Sequence, residues 1–289
     1  MITVNDYCKK EFGEKLYKLS LDGGMTCPNR DGTFGTRGCI FCSAGGSGDF
    51  TPSPALPIEE QINMAKQRVS AKFKGSRYIA YFQAYTNTYA PADYLRRLFL
   101  PILARDDIAV LDIATRPDCL PDAVIELIDE MNRIKPVWIE LGLQTSNPET
   151  AKYIRRGYDL PVYDNAVAKL RKIGVHIITH VILGLPGESK SDMENTVRHV
   201  VESGANGIKL QLLHVLKGTD LADEYIAGKF KTLEFDEYID ILRSCVQLLP
   251  SDMVVHRITG DGPKSLLLAP MWSADKKRVL NAIHKEISF

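Results

Sequence analysis

No charge of either sign dominates this sequence. Its 289 residues carry 36 Lys and Arg against 36 Asp and Glu, a formal net charge of +0. That balance excludes a global field drawing the protein onto nucleic acid or an anionic membrane, so any RNA contact must come from local basic patches. No signal peptide is legible, because residues 1–6 are polar and no apolar core follows. No apolar run approaches the length of a membrane span. Cysteines are few, six in all, and their irregular spacing does not read as a disulfide scaffold. A reducing cytoplasm is therefore the expected compartment. Low-complexity segments and short repeats are also missing. Hydrophobic residues make up 45% of the chain, enough for one large α/β domain or two small ones.

What is present concentrates in one stretch. From Met25 to Phe50, MTCPNRDGTFGTRGCIFCSAGGSGDF sets Cys27, Cys39 and Cys42 in a glycine-rich C-x11-C-x2-C array. Cys39 and Cys42 can point at one metal centre, and the long spacer lets Cys27 fold back to it. A closed zinc site wants four ligands, and no fourth Cys or His lies nearby. Three thiolates on an iron–sulfur cubane would leave one iron open to a small molecule. Gly45-Gly46-Ser47-Gly48 lacks the Lys-Ser/Thr ending of a phosphate-binding loop and reads as flexibility beside the metal. Cys8, Cys119 and Cys245 stand apart and read as small buried hydrophobes.

Around that stretch, β-rich runs alternate with loops and amphipathic helices. Strands are expected at 16–21, 78–83, 108–115, 137–144, 176–183 and 207–215. A helix at 58–73 aligns Ile58, Ile62, Ala65, Val69 and Phe73. Another is expected at 162–173, and Ser191 with Glu194 reads as a capping box opening a third. Such alternation predicts a parallel sheet forming a barrel or an open part of one, with its site on the loops after the strands. The cysteine loop follows the first strand, where that rule places a site. Residues 231–289 hold a helix aligning Phe235, Ile239, Leu242, Val246 and Leu249, a strand at 253–258 and a last helix at 273–287. They read as a C-terminal extension packing on a barrel of residues 1–230.

The array, with Phe41 just before its last cysteine, resembles the cluster loop of the radical S-adenosylmethionine (SAM) superfamily. Its long first gap is similar to that of the branch resembling the Elongator catalytic subunit. LSLDGGMTCPNRDG, FQAYTNTYAP, TRPDCLP, ELGLQT, RRGYD, HVILGLPGE and HRITGDGPK together look like the bacterial YhcC/YtqA-type (MnmL-like) family of that branch. The resemblance implies an α/β fold, a partial (β/α)6 TIM-like barrel of the radical SAM type. It implies a [4Fe–4S] cluster held by Cys27, Cys39 and Cys42, the catalytic and metal-binding residues. SAM would chelate the open iron, and an electron from the cluster would release a 5′-deoxyadenosyl radical.

The resemblance also implies the cofactor contacts. The backbone of Gln83, Ala84 and Tyr85 would receive the SAM amino group, with Thr86 and Asn87 in the same loop. Thr115, Glu140, Gln144 and His180 would face SAM, its ribose or nearby groups. Arg156 would pair with the carboxylate, a task that suits a guanidinium. Leu185, in the Gly184–Gly187 turn, would support the adenine. Arg257 and Asp261 would lie toward the substrate. Simpler readings are strand-end charges satisfied by loops for Glu140 and Gln144, a helix-end cation for Arg156 and a core histidine for His180. The implied partners are tRNA, as substrate at wobble uridine 34, and an electron donor such as flavodoxin or ferredoxin. The implied reaction converts a carboxymethylaminomethyl group to aminomethyl by hydrogen abstraction at the carboxymethyl carbon. No acetyltransferase-like segment follows the barrel, so acetyl-CoA is not expected as a co-substrate. Basic clusters at Lys9–Lys18, Arg68–Arg77 and Lys276–Lys285 are solvated helix faces or RNA contacts. A small-metabolite radical SAM enzyme and a non-catalytic cluster or zinc protein are the alternatives.

Overall fold

A computed structural model describes residues 1–260 and 262–287. Its strands are β1 (Ile2–Thr3), β2 (Tyr17–Leu21), β3 (Tyr78–Phe82), β4 (Ile108–Thr115), β5 (Val137–Gln144), β6 (His176–Leu183), β7 (Gly207–Leu212), β8 (Val215–Leu216), β9 (Val254–Arg257) and β10 (Leu267–Ala269). Eight of them form one parallel sheet in the order β1-β9-β7-β6-β5-β4-β3-β2. From β2 to β7, neighbours in space are neighbours in sequence, each joined by a helical crossover. This is the curled half-barrel arrangement of the partial TIM barrel.

The reason lies in the strands' composition. β4, IAVLDIAT, is buried along its whole length, and β5 and β6 nearly so, as strands covered on both faces must be. Ile139, Leu141 and Leu143 point from β5 into the main core, with Leu127, Leu170 and Val197 of the crossover helices. The alternate residues Trp138, Glu140, Gly142 and Gln144 share the other face, the barrel interior. There the helix Val4–Phe12 packs Tyr7 and Phe12 on Trp138, Ile79, Val110 and Ile178 and fills one end.

Several boundaries differ from the sequence reading. The helix at 58 ends at Val69, although Phe73 still packs, against Tyr17 and Tyr78. The 162–173 helix begins earlier, at Leu160, with Pro161 in its first turn. The capping box belongs to Ser189 and Asp192, two residues before the expected Ser191 and Glu194. The sixth strand stops at Leu212, and β8 pairs antiparallel with β10 instead. β1 was not foreseen, because two residues carry no periodic signal. β9 lies inside the main sheet, between β1 and β7, so the C-terminal segment supplies a strand to the barrel.

Candidate active site

A cavity of about 260 Å³ opens at the carboxyl ends of the strands. Cys27, Cys39, Cys42, Gln83, Tyr85, Thr115, Glu140, Gln144, Arg156 and His180 all line it, as does Arg257. Two expected cofactor positions are not brought to its wall. Ala84 is buried behind it, and Leu185 joins the apolar cluster of Ile40, Ile154, Leu213 and Leu221. Asp261 lies outside the described residues.

The cysteine loop is held by its backbone. Arg30 N–H donates to the Cys27 carbonyl at 2.7 Å and Cys42 N–H to the Cys39 carbonyl at 3.0 Å. Ile40 anchors the short gap in the Leu185–Leu221 cluster, and Leu221 N–H donates to its carbonyl. Asn29 Nδ2 lies 3.4 Å from Cys39 Sγ and 2.8 Å from the Arg155 carbonyl, tying sulfur to the neighbouring loop. Arg30 donates to the carbonyls of Cys42 and Ser43 and lies over the Tyr85 ring. Tyr85, at φ 55°, donates its N–H to the Gly46 carbonyl at 2.8 Å. Gly46 itself sits at φ +56°, where a Cβ would come within 2.2 Å of the Tyr85 ring. Strain of that kind at a non-glycine residue is concentrated at functional sites. Gly46→Ala is therefore expected to cost about 1–3 kcal/mol of stability in urea denaturation. It should also lower the iron retained after anaerobic reconstitution.

Burial pushes the Cys39 thiol up to about 11, and a nearby Cys42 adds to the effect. Burial raises Cys42 as well, against the opposing Arg30 guanidinium. Both are thus thiols in the free protein and must lose their protons on binding metal. Among the described residues no three His, Cys, Asp or Glu side chains converge as a single metal ion requires. A four-iron cluster binds each thiolate at a different iron, so its ligands ring a cavity. Three thiols around one cavity, with an amide donor beside one sulfur, fit that group by donor type.

The floor is a buried ionic network built from charged residues set in largely apolar strands. Glu140, mid-strand in β5 and not at its end, accepts from Lys18 at 2.7 Å and Tyr81 Oη at 2.8 Å. It also meets Lys209 and His180 Nε2, the latter at 2.6 Å. Lys18 donates in addition to Asp112 at 2.5 Å. Burial favours the neutral acid at Glu140, but Lys18, Lys209 and His180 prevail and hold its pKa well below the carboxylate range. Burial and the Glu140 charge lift Asp112 to about 7, against the pull of Lys18. Burial lowers His180 to about 4, leaving a neutral imidazole at physiological pH. Lys18, Tyr81, Asp112 and Lys209 were missed as site residues. Their signal was there, since each sets a polar or hydroxyl-bearing side chain inside a largely apolar strand, in YKLSL, YIAYF, IAVLDIAT and GIKLQL.

Gln144 does end β5, at φ 68°, and its Oε1 is buried with no hydrogen-bond partner among the described residues. An orphaned acceptor facing a cavity invites a ligand donor. Arg156 donates from Nη1 to the Thr145 carbonyl at 2.6 Å and the Leu143 carbonyl at 3.1 Å, and from Nε to the Tyr158 carbonyl at 2.9 Å. It braces the end of β5 while lining the cavity. Arg116, also on the wall, donates to the Arg156 carbonyl at 2.9 Å and pairs with Asp118.

Comparison with known proteins bears on this site. Residues 30–200 match the Radical SAM superfamily, and residues 205–288 match the Radical_SAM C-terminal domain. The chain is 46% identical to "Uncharacterized protein YtqA" of Bacillus subtilis over 285 residues, 99% of this chain and 88% of that protein. It is 27% identical over 164 residues to a tRNA uridine(34) acetyltransferase of Methanocaldococcus jannaschii, 55% of this chain but 29% of that protein. Its fold superposes on the archaeal Methanocaldococcus infernus Elp3 with a TM-score of 0.68 at 16% identity, covering 94% of this chain and 63% of that one.

Proposed function

The chain belongs to the radical SAM superfamily, and on that premise we propose that it is a tRNA-modifying enzyme acting on the 5-substituent of wobble uridine 34. The superfamily works with a [4Fe–4S] cluster and SAM. The observation that carries the reading is one cavity at the carboxyl ends of the strands, lined by three cysteines, the loop after β3 and the end of β5. Cys27, Cys39 and Cys42 are the residues that would hold the cluster. When bound, the cluster and SAM supply a 5′-deoxyadenosyl radical able to abstract a hydrogen atom. The chain's own residues bind, orient and shield. The Gln83–Tyr85 backbone and Gln144 Oε1 would meet the polar groups of SAM, and Arg156 would meet its carboxylate. His180, neutral and fixed by Glu140, faces the cavity without adding charge. Buried walls exclude water from reactive species.

Relatives named for tRNA uridine(34) support the RNA substrate. The finer reaction is conversion of carboxymethylaminomethyl to aminomethyl, starting at the carboxymethyl carbon. Its stoichiometry closes without an external oxidant. SAM, the substituent and water give methionine, 5′-deoxyadenosine, the aminomethyl group, glyoxylate and a proton. A flavodoxin or ferredoxin is the electron donor that suits such a cluster. Nucleoside analysis of tRNA from a deletion strain tests the reading. Accumulated carboxymethylaminomethyl uridine with lost aminomethyl derivatives is expected; an unchanged wobble profile would favour a small-metabolite substrate.

A further inference from the structure

One wall of the cavity carries cations that the cofactor contacts do not use. Gly142, His180, Lys209 and Arg257 are successive register partners across β5, β6, β7 and β9. They form one row across the sheet, and each lines the cavity. The pairing of β7 with β9 shifts between Ile208 and Lys209, leaving His256 as the extra residue. His256 turns toward Trp138 and His176, its Nε2 3.1 Å from that of His176. Arg257 is thereby placed beside Lys209 and not on the sheet's outer face. Bulges that re-aim a side chain in this way are common next to active sites.

Two like charges on directly opposed sheet positions repel. The cost is visible at Lys209, whose ammonium burial lowers to about 7, with Lys18 and Arg257 adding to the effect and Glu140 opposing it. Lys209 has three hydrogens to donate. Glu140 and the Tyr81 hydroxyl, the latter at 3.2 Å, take two. A planar carboxylate entering from the cavity could take the third while lying against the guanidinium of the next strand, a charge-assisted arrangement.

We infer that Lys209 and Arg257 form a carboxylate-binding subsite that selects substrates bearing an acidic group on the substituent to be attacked. This rests on the uridine reading of the same cavity. Recognition of the acid would fix the carbon next to it, so the pair determines specificity and positions the substrate. It does not itself react.

The test compares two RNAs with the reconstituted holoenzyme: tRNA bearing carboxymethylaminomethyl uridine 34, and the same tRNA with that carboxylate as its methyl ester. The wild type is expected to favour the acid by about 10–100-fold in kcat/KM, the worth of a charge-assisted hydrogen bond. Arg257→Met should bring the ratio near one, and Arg257→Lys should restore part of it, which a merely structural role would not do. Equal use of acid and ester by the wild type overturns the inference and leaves the uridine reading standing. So does a ratio that survives in Arg257→Met. A third contrary result is a raised KM for SAM in Arg257→Met at an unchanged acid-to-ester ratio, which assigns the cations to the carboxylate of SAM. Consumption of neither RNA refutes the uridine reading and this inference with it.

Discussion

Cys39→Ala is expected to reduce 5′-deoxyadenosine formation to the level of the enzyme-free control. Cys39 is tied into the fold at both its side chain and its backbone. Its sulfur is buried against the Asn29 amide, and its carbonyl closes the turn to Cys42. Removing it leaves two thiols on the wall, too few to leave a single open iron on a cubane. The loss should appear first as lower iron and sulfide after anaerobic reconstitution, then as lost SAM cleavage. Cys245→Ala is the matched control. That thiol is buried on the helix Phe235–Gln247 and does not line the cavity. It should keep its iron and its turnover. Undiminished cleavage in Cys39→Ala would refute the ligand assignment, and equal loss in both variants would point to misfolding.

The second large effect concerns stability. Glu140→Gln is expected to destabilise the fold by about 3–5 kcal/mol, the usual result of breaking a buried ion cluster from one side. Glu140 is fully buried and answers Lys18 and Lys209 together, and its loss leaves Asp112 as the remaining carboxylate of the cluster. The sign of the pH dependence follows from the direction of its shift. A carboxyl held well below the ordinary range contributes stability that is fully present above the unfolded value, about 4.3. That contribution is lost as pH falls through the depressed folded value. The gap between wild type and Glu140→Gln in urea denaturation should therefore be wide at neutral pH and narrow in strong acid. Lys209→Met combined with Glu140→Gln should recover part of the loss, since the double variant removes one buried amine left without its carboxylate partner. A Glu140→Gln variant within about 0.5 kcal/mol of wild type at pH 7 would show that the cluster adds nothing.

The same residues show how far the sequence could be read. β4, β5 and β6 were legible to the residue, because eight-residue apolar runs bounded by polar loops admit no other register. β7 was read three residues too long, since Leu213 to Val215 continue the apolar pattern while the backbone leaves the sheet for β10. The three cysteines line one cavity and were legible as one group from spacing alone. The floor beneath it was not. Lys18, Asp112, Glu140 and Lys209 each appear as a charged residue in a largely apolar strand, and nothing local says that they meet. Their meeting depends on strand order and curl, which are tertiary facts. The row joining Lys209 to Arg257 lay further out of reach, because it depends on one bulged residue, His256. Leu185 illustrates the opposite limit: motif position set its turn at the cofactor, while its side chain packs in the apolar cluster of Ile40, Ile154, Leu213 and Leu221.

The measurement that tests the central claim most directly is electron paramagnetic resonance of the reduced, anaerobically reconstituted protein with and without SAM. Three thiolates and one open iron predict a [4Fe–4S] signal whose g-values move when SAM is added. A signal indifferent to SAM, from a metal with every position taken by the protein, would contradict the account.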